Sequence, residues 1–245
     1  MFGAGFLIRE SAHRASSISA VTVGGMLTTV IWQPGCGPFL LTAYSKETKT
    51  MKDRLELIMR DGTPVILRPL IEEDRALVAE AYRRLSPEAR YHRFWTHTGE
   101  MIGKEMLDRL VEQNPENHMT WALLDPAREF PGLGGASWWR NPNDPSEAEV
   151  SIMVLNDHQR RGIGTLLLAA MWVSAFRAGV KNIVAYALLE NRQAARWMRN
   201  CGGTGEWDGY KLIYRWDLAN LEALPENPTS ADLATWLAEL SQRLL

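Results

Sequence analysis

The sequence predicts a mixed α/β fold with a strand–helix–strand unit at its centre, and three features lead there. From about Thr63 onward, segments with apolar residues at helical spacing alternate with short apolar runs of strand character. Residues 183–188 (Ile-Val-Ala-Tyr-Ala-Leu) are nearly all apolar, as suits a central strand covered on both faces. Residues 154–165 pass from a strand end through a tight loop into an apolar helix. A chain of 245 residues with 46% hydrophobic content can bury one sizeable core and carry an accessory segment.

The elements follow in order. Val65, Ile66 and Leu67 form a short strand that stops at Arg68-Pro69. Glu72, Glu73 and Asp74 then open a helix, because carboxylates are favoured at the positive helix N-terminus. Leu77, Val78, Ala81, Tyr82 and Leu85 recur along it at helical spacing. Ser86 caps a second helix with Pro87 in its first turn. Residues 101–111 give a third helix, 121–124 and 134–139 two strands, 141–146 a turn with two prolines, and 149–155 the next strand. A long helix over 162–178 ends at Gly179. After strand 183–188, a helix over 191–200 stops at Gly202-Gly203, and strand 212–216 closes the sheet. Trp138, Trp139, Trp207 and Trp216 are expected in core and sheet packing. Past the prolines at 225 and 228, Thr229 is expected to cap a last helix with Asp232 three residues on. Its stripe of Leu233, Trp236, Leu237, Leu240 and Leu244 is expected to pack on its own domain.

Residues 1–50 read differently. They are rich in Gly, Ser, Thr and Ala, without a sustained period, and are expected to be a flexible extension or sequence upstream of a natural start at Met51. The domain assignment is therefore an extension over 1–50, one domain over 51–220 and an amphipathic helix over 221–245. The best apolar run, residues 21–32, is too short to span a bilayer and contains Gly24 and Gly25. It is also a poor secretion signal, since no convincing cleavage site follows it. A net charge of −2 gives no basic footprint for nucleic acid or a membrane surface. Cys36 and Cys201 stand alone, so neither a disulfide framework nor a zinc site is expected, and a reducing cytoplasm is the expected location. His92, His97, His118 and His158 lack metal-ligand spacing. Arg83, Arg84, Arg90 and Arg93 read as a solvated helical face, or alternatively as a docking patch.

The chemistry concentrates at residues 159–164, Gln-Arg-Arg-Gly-Ile-Gly. The first turn of a helix presents free N–H groups and partial positive charge, which suit a diphosphate. Gly162 and Gly164 leave room for phosphate oxygens at the backbone, and Arg160 and Arg161 add charge beside them. A phosphate-binding G-x-x-x-x-G-K-[ST] is absent. A dinucleotide G-x-G-x-x-G fails at Leu167.

This loop, preceded by 149–154 (Glu-Val-Ser-Ile-Met-Val) and followed by 188–191 (Leu-Leu-Glu-Asn), resembles the GNAT superfamily of N-acyltransferases over roughly residues 65–216. Residues 85–94 resemble, more narrowly, a segment of bacterial protein-lysine acetyltransferases. The resemblance implies a mostly antiparallel central sheet with a splayed strand pair, flanked by helices. It implies acetyl-CoA as acyl-donor cosubstrate, without a metal. Pantetheine would enter between the strand through Met153 and Val154 and the strand through Ala187 and Leu188, like an added strand. The pyrophosphate would lie at Gln159, Arg160, Arg161, Gly162, Ile163, Gly164 and Thr165, and Asn191 would contact the pantetheine arm. Asn191 also reads as a helix N-cap.

A lysine amine with a pKa near 10.4 must lose a proton before it attacks a thioester. Glu149 matches the family base, and Glu147, two residues earlier on the same strand face, is the runner-up. The backbone N–H of Val154 is the expected oxyanion donor. The sequence departs from the family at Trp197, where many members carry an acidic tyrosine. The implied reaction is acetyl transfer to a primary amine, with a protein lysine preferred. Polyamines or aminoglycosides, and a catalytically weak acyl-CoA-binding regulatory module, are the alternatives. No nucleic-acid or membrane partner is expected, and homodimerisation is left open.

Overall fold

The structure is a computed structural model that describes residues 53–95 and 99–244 and, within the first fifty residues, the backbone of three strands. The chain divides into two units, residues 1–51 and 52–245. In the first unit, β1 (Ser17–Val23), β2 (Met26–Gln33) and β3 (Cys36–Thr42) form an antiparallel sheet with β2 in the middle. The side chain of Cys36 and the whole of His97 lie outside the described residues.

The second unit is built on an eight-stranded sheet. Its strands are β4 (Leu55–Ile58), β5 (Pro64–Pro69), β6 (His118–Leu124), β7 (Gly132–Asn141), β8 (Asp144–Val154), β9 (Asn182–Leu188), β10 (Thr204–Trp207) and β11 (Lys211–Asp217). They lie in the order β10-β11-β9-β8-β7-β6-β5-β4, antiparallel throughout except for β8 and β9. The two outermost strands extend the sequence expectation at both edges. In β4, Leu55 and Leu57 are buried while Glu56 and Ile58 face out, the alternation of a strand with one covered face.

Among the described residues six α-helices flank the sheet: α1 (Arg75–Arg83), α2 (Pro87–Phe94), α3 (Lys104–Val111), α4 (Ile163–Arg177), α5 (Arg192–Asn200) and α6 (Pro228–Leu244). α4 connects parallel β8 and β9; Ile163 and every residue from Thr165 to Ala175 are buried, and Gly164 between them is half-buried. A helix apolar on all sides needs cover on all sides. The sheet supplies one side, through Trp138, Ala148 and Val150, and α6 supplies the other, through Leu233, Trp236, Leu237, Leu240 and Leu244. The apolar stripe of the last helix thus packs within its own unit. α1 and α3 lie across the opposite sheet face, where Leu70, Ala122 and Leu124 meet Leu77, Val78 and Leu110.

Three local expectations are corrected. α6 is capped by Asn227, whose Oδ1 accepts from the amides of Thr229 and Ser230, and the Asp232 carboxylate turns instead to Arg60. Trp207 is 64% exposed on edge strand β10, where no second layer covers it, whereas Trp138 and Trp216 are buried. The arginine run is not one solvated face. Arg83 and Arg84 pair with Glu80 at the surface, but Arg90 is buried against the Tyr82 ring. Two of its nitrogens, Nε and Nη1, lack partners among the described residues.

Candidate active site

The parallel pairing of β8 and β9 is short. It runs from Glu147 opposite Asn182 to Glu149 opposite Val184, and then stops, although β8 continues to Val154 and β9 to Leu188. The two strands therefore part after Glu149, as the resemblance implies. On its other edge β8 stays paired with β7 as far as Val154 opposite Gly134. The amide of Leu155 donates to Leu133 on the β7 side. Successive strand residues direct their N–H groups to opposite edges. The N–H groups of Ile152 and Val154 thus face the gap toward β9.

The loop at the end of β8 leads to the α4 N-terminus. Asn156, Asp157 and His158 make a short 3-10 turn, Gln159 is extended, and Arg160 and Gly162 take left-handed φ values of 61° and 83°. Gly162 is the N-cap of α4 and supplies no side-chain cap. Its carbonyl accepts from Thr165 and Leu166, whereas the amides of Arg161, Gly162, Ile163 and Gly164 have no acceptor among the described residues. Four N–H groups at a helix N-terminus form a site for an anion. Thr165 contributes its amide to the helix instead.

The two glycines differ in what the fold asks of them. Gly162 adopts a left-handed conformation that costs residues with a Cβ energy. Gly164 has ordinary backbone geometry, and a Cβ there would only touch the Trp197 ring at 3.5 Å and Val154 at 3.9 Å. The chain's own packing does not require glycine at 164.

The side chains of the loop are partly committed. Arg161 donates to Asp61 Oδ2 at 2.6 Å and to Thr63 Oγ1 at 2.9 Å, on the β4–β5 turn. The Asp61 carboxylate also accepts from Thr63, including its amide at 3.0 Å, and the hydrogen bonds from Thr63 first and Arg161 second hold its carboxyl down at about 2. Arg160 has no such partner among the described residues. Gln159 Nε2 reaches the Val154 carbonyl at 3.4 Å and its Oε1 accepts from Gln193 at 3.4 Å, linking the open strand edge to the first turn of α5. Asn191 caps α5 by accepting from the Ala194 amide at 3.1 Å, and its Nδ2 has no acceptor among the described residues.

On the sheet face opposite α4, β8 presents Glu147, Glu149, Ser151 and Met153 by alternation. Glu149 is exposed at the point where the strands part and makes no hydrogen bond or ion pair among the described residues. Glu147 is engaged, by Arg215 at 3.5 Å and by Asn141 Nδ2 at 3.3 Å. Arg93 reaches the same face from the end of α2. Burial lowers its guanidinium to about 10, and Glu149 is the charge that opposes this shift. Tyr186 faces it from β9, with its hydroxyl raised by burial and then by the negative charges of Glu149 and Glu147. The sequence reading did not single out Tyr186. Its polar ring in an otherwise aliphatic strand was the available signal.

Trp197 lies on the α4 side, its ring over Gly164 and its indole N–H donating to Thr165 Oγ1 at 3.2 Å. It supplies no acidic hydroxyl. Cys201 is fully buried nearby, and burial pushes its thiol up to about 12. His158 is buried in packing, with burial and the charges of Arg128 and Arg161 holding it below its ordinary value. Among the described residues no cluster of three His, Cys, Asp or Glu could hold a metal, and no helix is long and apolar enough to cross a membrane.

Comparison with known proteins agrees with this fold. A solved GNAT domain of S. lividans PAT superposes with a TM-score of 0.62, at 20% identity, covering 67% of this chain and 96% of that one. The Salmonella typhimurium protein yncA, solved with acetyl-CoA, superposes with a TM-score of 0.50 at 19% identity, covering 63% of this chain and 94% of its own. In sequence, the chain is 26% identical over 233 residues to acetyltransferase Pat of Mycolicibacterium smegmatis, covering 92% of this chain and 69% of the relative. It is 28% identical over 133 residues to acetyltransferase PA5475 of Pseudomonas aeruginosa, covering 54% of this chain and 70% of the relative. Residues 65–204, more than half of the chain, match the family model described as an acetyltransferase (GNAT) domain, and the protein is an acyltransferase enzyme of that family.

Proposed function

We propose that the protein is an N-acetyltransferase that moves an acetyl group from acetyl-CoA to a primary amine, with a protein lysine as the preferred acceptor. The observation that carries this reading is the parting of β8 and β9 immediately after Glu149, at the foot of a loop with four unaccepted amides. A diphosphate fits the amides of Arg161, Gly162, Ile163 and Gly164, and Arg160 adds a free cation. The pantetheine arm fits the N–H groups of Ile152 and Val154 on the open edge, with Met153 and Asn191 alongside. Bound acetyl-CoA supplies the activated carbonyl. The N–H of Val154 is the assigned oxyanion donor.

Glu149 is the assigned base. It is unengaged and sits at the foot of the gap, whereas Glu147 is held by Arg215 and Asn141. A carboxylate removes a lysine proton most readily when the acceptor amine is brought against it and desolvated. Trp197 cannot protonate the leaving thiolate. Because coenzyme A's thiol is a good leaving group, water suffices for that step.

The preference for protein lysine rests on the exposure of Glu149 on an open sheet face. A small polyamine gains most from an enclosed acidic pocket. The test measures thiol release from acetyl-CoA with lysine peptides, a polyamine and an aminoglycoside, alongside lysine-acylation profiles of cells with and without the protein. Turnover confined to the small amines, with unchanged protein acylation, would refute the preference. Reading the chain as a regulatory acyl-CoA-binding module instead requires acetyl-CoA binding with no turnover on any amine.

A further inference from the structure

Three groups on the sheet face of Glu149 are not used by the reaction as assigned. Trp95 ends α2 in a left-handed conformation at φ 57°, and its ring is 39% exposed. It meets the Tyr186 ring edge-on, with centroids 6.3 Å apart and planes at 79°. Lys211, the first residue of β11, sends its ammonium into the angle between them. Its Nζ lies 3.8 Å from the Tyr186 centroid and 5.6 Å from that of Trp95. Lys211 makes no salt bridge among the described residues; the Asp208 carboxylate acts on it electrostatically, and the two aromatic faces are its close ring contacts. Such an arrangement binds an ammonium ion through the ring quadrupoles.

The place of this pair in the sheet gives it meaning. Val184 is the last β9 residue paired with β8, opposite Glu149, and Tyr186 is the next residue of β9 on that face. Lys211 is in register with Leu188, at the end of β9 that borders the gap. Glu149 is the leading charge acting on the Tyr186 hydroxyl. A primary ammonium held by two rings thus stands on the same face as the assigned base, beside the gap assigned to the acyl donor.

We infer that Trp95 and Tyr186 form the subsite for the acceptor's ammonium group, and that Lys211 is its occupant in cis, acetylated by the chain itself when acetyl-CoA is bound. This rests on the acetyltransferase reading above. In the step, Nζ of Lys211 gives one proton to Glu149. Its lone pair forms the C–N bond to the thioester carbonyl carbon, and the C–S bond breaks. The second proton leaves the nitrogen and reaches the departing thiolate through water, and Glu149 releases its own to water. An incoming lysine must displace Lys211, and acetylation removes the charge that holds it in the cage.

The test incubates the full chain with acetyl-CoA and follows intact mass and peptide maps. The expected result is one acetyl group on Lys211, added at a first-order rate independent of protein concentration. It should be absent in Glu149→Gln and slowed by roughly tenfold in Trp95→Leu and in Tyr186→Leu. Acetyl-CoA binding by the two ring variants is measured in parallel and is expected to persist. Acetyl groups scattered over exposed lysines, a rate that rises with protein concentration, or an unmodified Lys211 overturns the inference. If Lys211 stays unmodified while the same preparation acetylates a lysine peptide, the inference fails alone. If acetyl-CoA is neither bound nor turned over, the acetyltransferase reading fails with it.

Discussion

The Arg161 guanidinium and the Asp61 carboxylate lie 2.6 Å apart, joining the loop before α4 to the β4–β5 turn 100 residues earlier in the chain. One of the two arginines beside the free amides is therefore a tether, and the other, Arg160, is available as a charge. A tether and a phosphate contact predict different mutant patterns. If Arg161 acts through Asp61, then Arg161→Ala and Asp61→Asn should each raise KM for acetyl-CoA by a similar small factor, roughly threefold, with the double variant no worse. A direct phosphate contact would instead make Arg161→Ala the more damaging change and leave Asp61→Asn near wild type. Steady-state kinetics on the three variants decides. The pH dependence has a fixed sign. Asp61 is depressed to about 2, so the tether is intact above its ordinary carboxylate range and is lost only as pH falls through about 2.

Gly162 and Gly164 should separate stability from binding. Gly162→Ala places an L-residue at φ 83° and should cost about 1–2 kcal/mol. This would appear as a lower melting temperature. Gly164→Ala meets only ordinary contacts and should melt within error of wild type. A methyl beside the free amides should nevertheless raise KM for acetyl-CoA by roughly tenfold, equivalent to about 1.4 kcal/mol. Equal melting losses in both variants, with unchanged binding, would show that both glycines serve the loop alone.

Glu149→Gln keeps the shape of the side chain and removes its basicity. Turnover should fall by about 10²- to 10⁴-fold, while acetyl-CoA binds as before by calorimetry. Glu147→Gln should have a smaller effect, since it breaks the contact with Arg215 on the neighbouring face. A larger loss at 147 than at 149 would reverse the assignment of base and bystander.

Much of this was legible in the residues themselves. The order of strands and helices from Val65 onward follows hydrophobic period and punctuation, which are local. The loop over 159–164 stands out because glycine and arginine at a strand-to-helix junction have few other uses. What escaped depends on contacts distant in sequence. That Arg161 is committed to Asp61, that Glu147 is held by Arg215, and that Arg90 is buried under Tyr82 all require knowing which strands and helices are neighbours. The edge strand β10 escaped for another reason. Its four residues are all exposed, so no alternation marks it. The cap of α6 is Asn227, directly before its first residue Pro228, and the Asp232 carboxylate pairs with Arg60 on a different element.

Cys201 offers a last check on the packing behind the cradle. Thr165 accepts the indole N–H of Trp197, and its hydroxyl is also hydrogen-bonded with the Cys201 thiol. Burial outweighs that bond and pushes the thiol up to about 12. Thiolate is the reactive form, so Cys201 should resist alkylation at pH 8 in the native chain and react once it is unfolded. A Cys36→Ser background isolates the signal. The folded state favours the neutral thiol, so its contribution to stability is complete below the ordinary thiol value of 9.0 and is lost as pH rises toward about 12. Denaturant melts of the Cys36→Ser chain between pH 8 and pH 11 should therefore show a stability decline that is weaker once Cys201→Ala is added. Bound acetyl-CoA should slow the labelling of Cys201 further, because ordering the α4 N-terminus restrains Thr165, directly after the free amides. Rapid labelling of the native chain at pH 8, with or without acetyl-CoA, would contradict the buried arrangement of Trp197, Thr165 and Cys201.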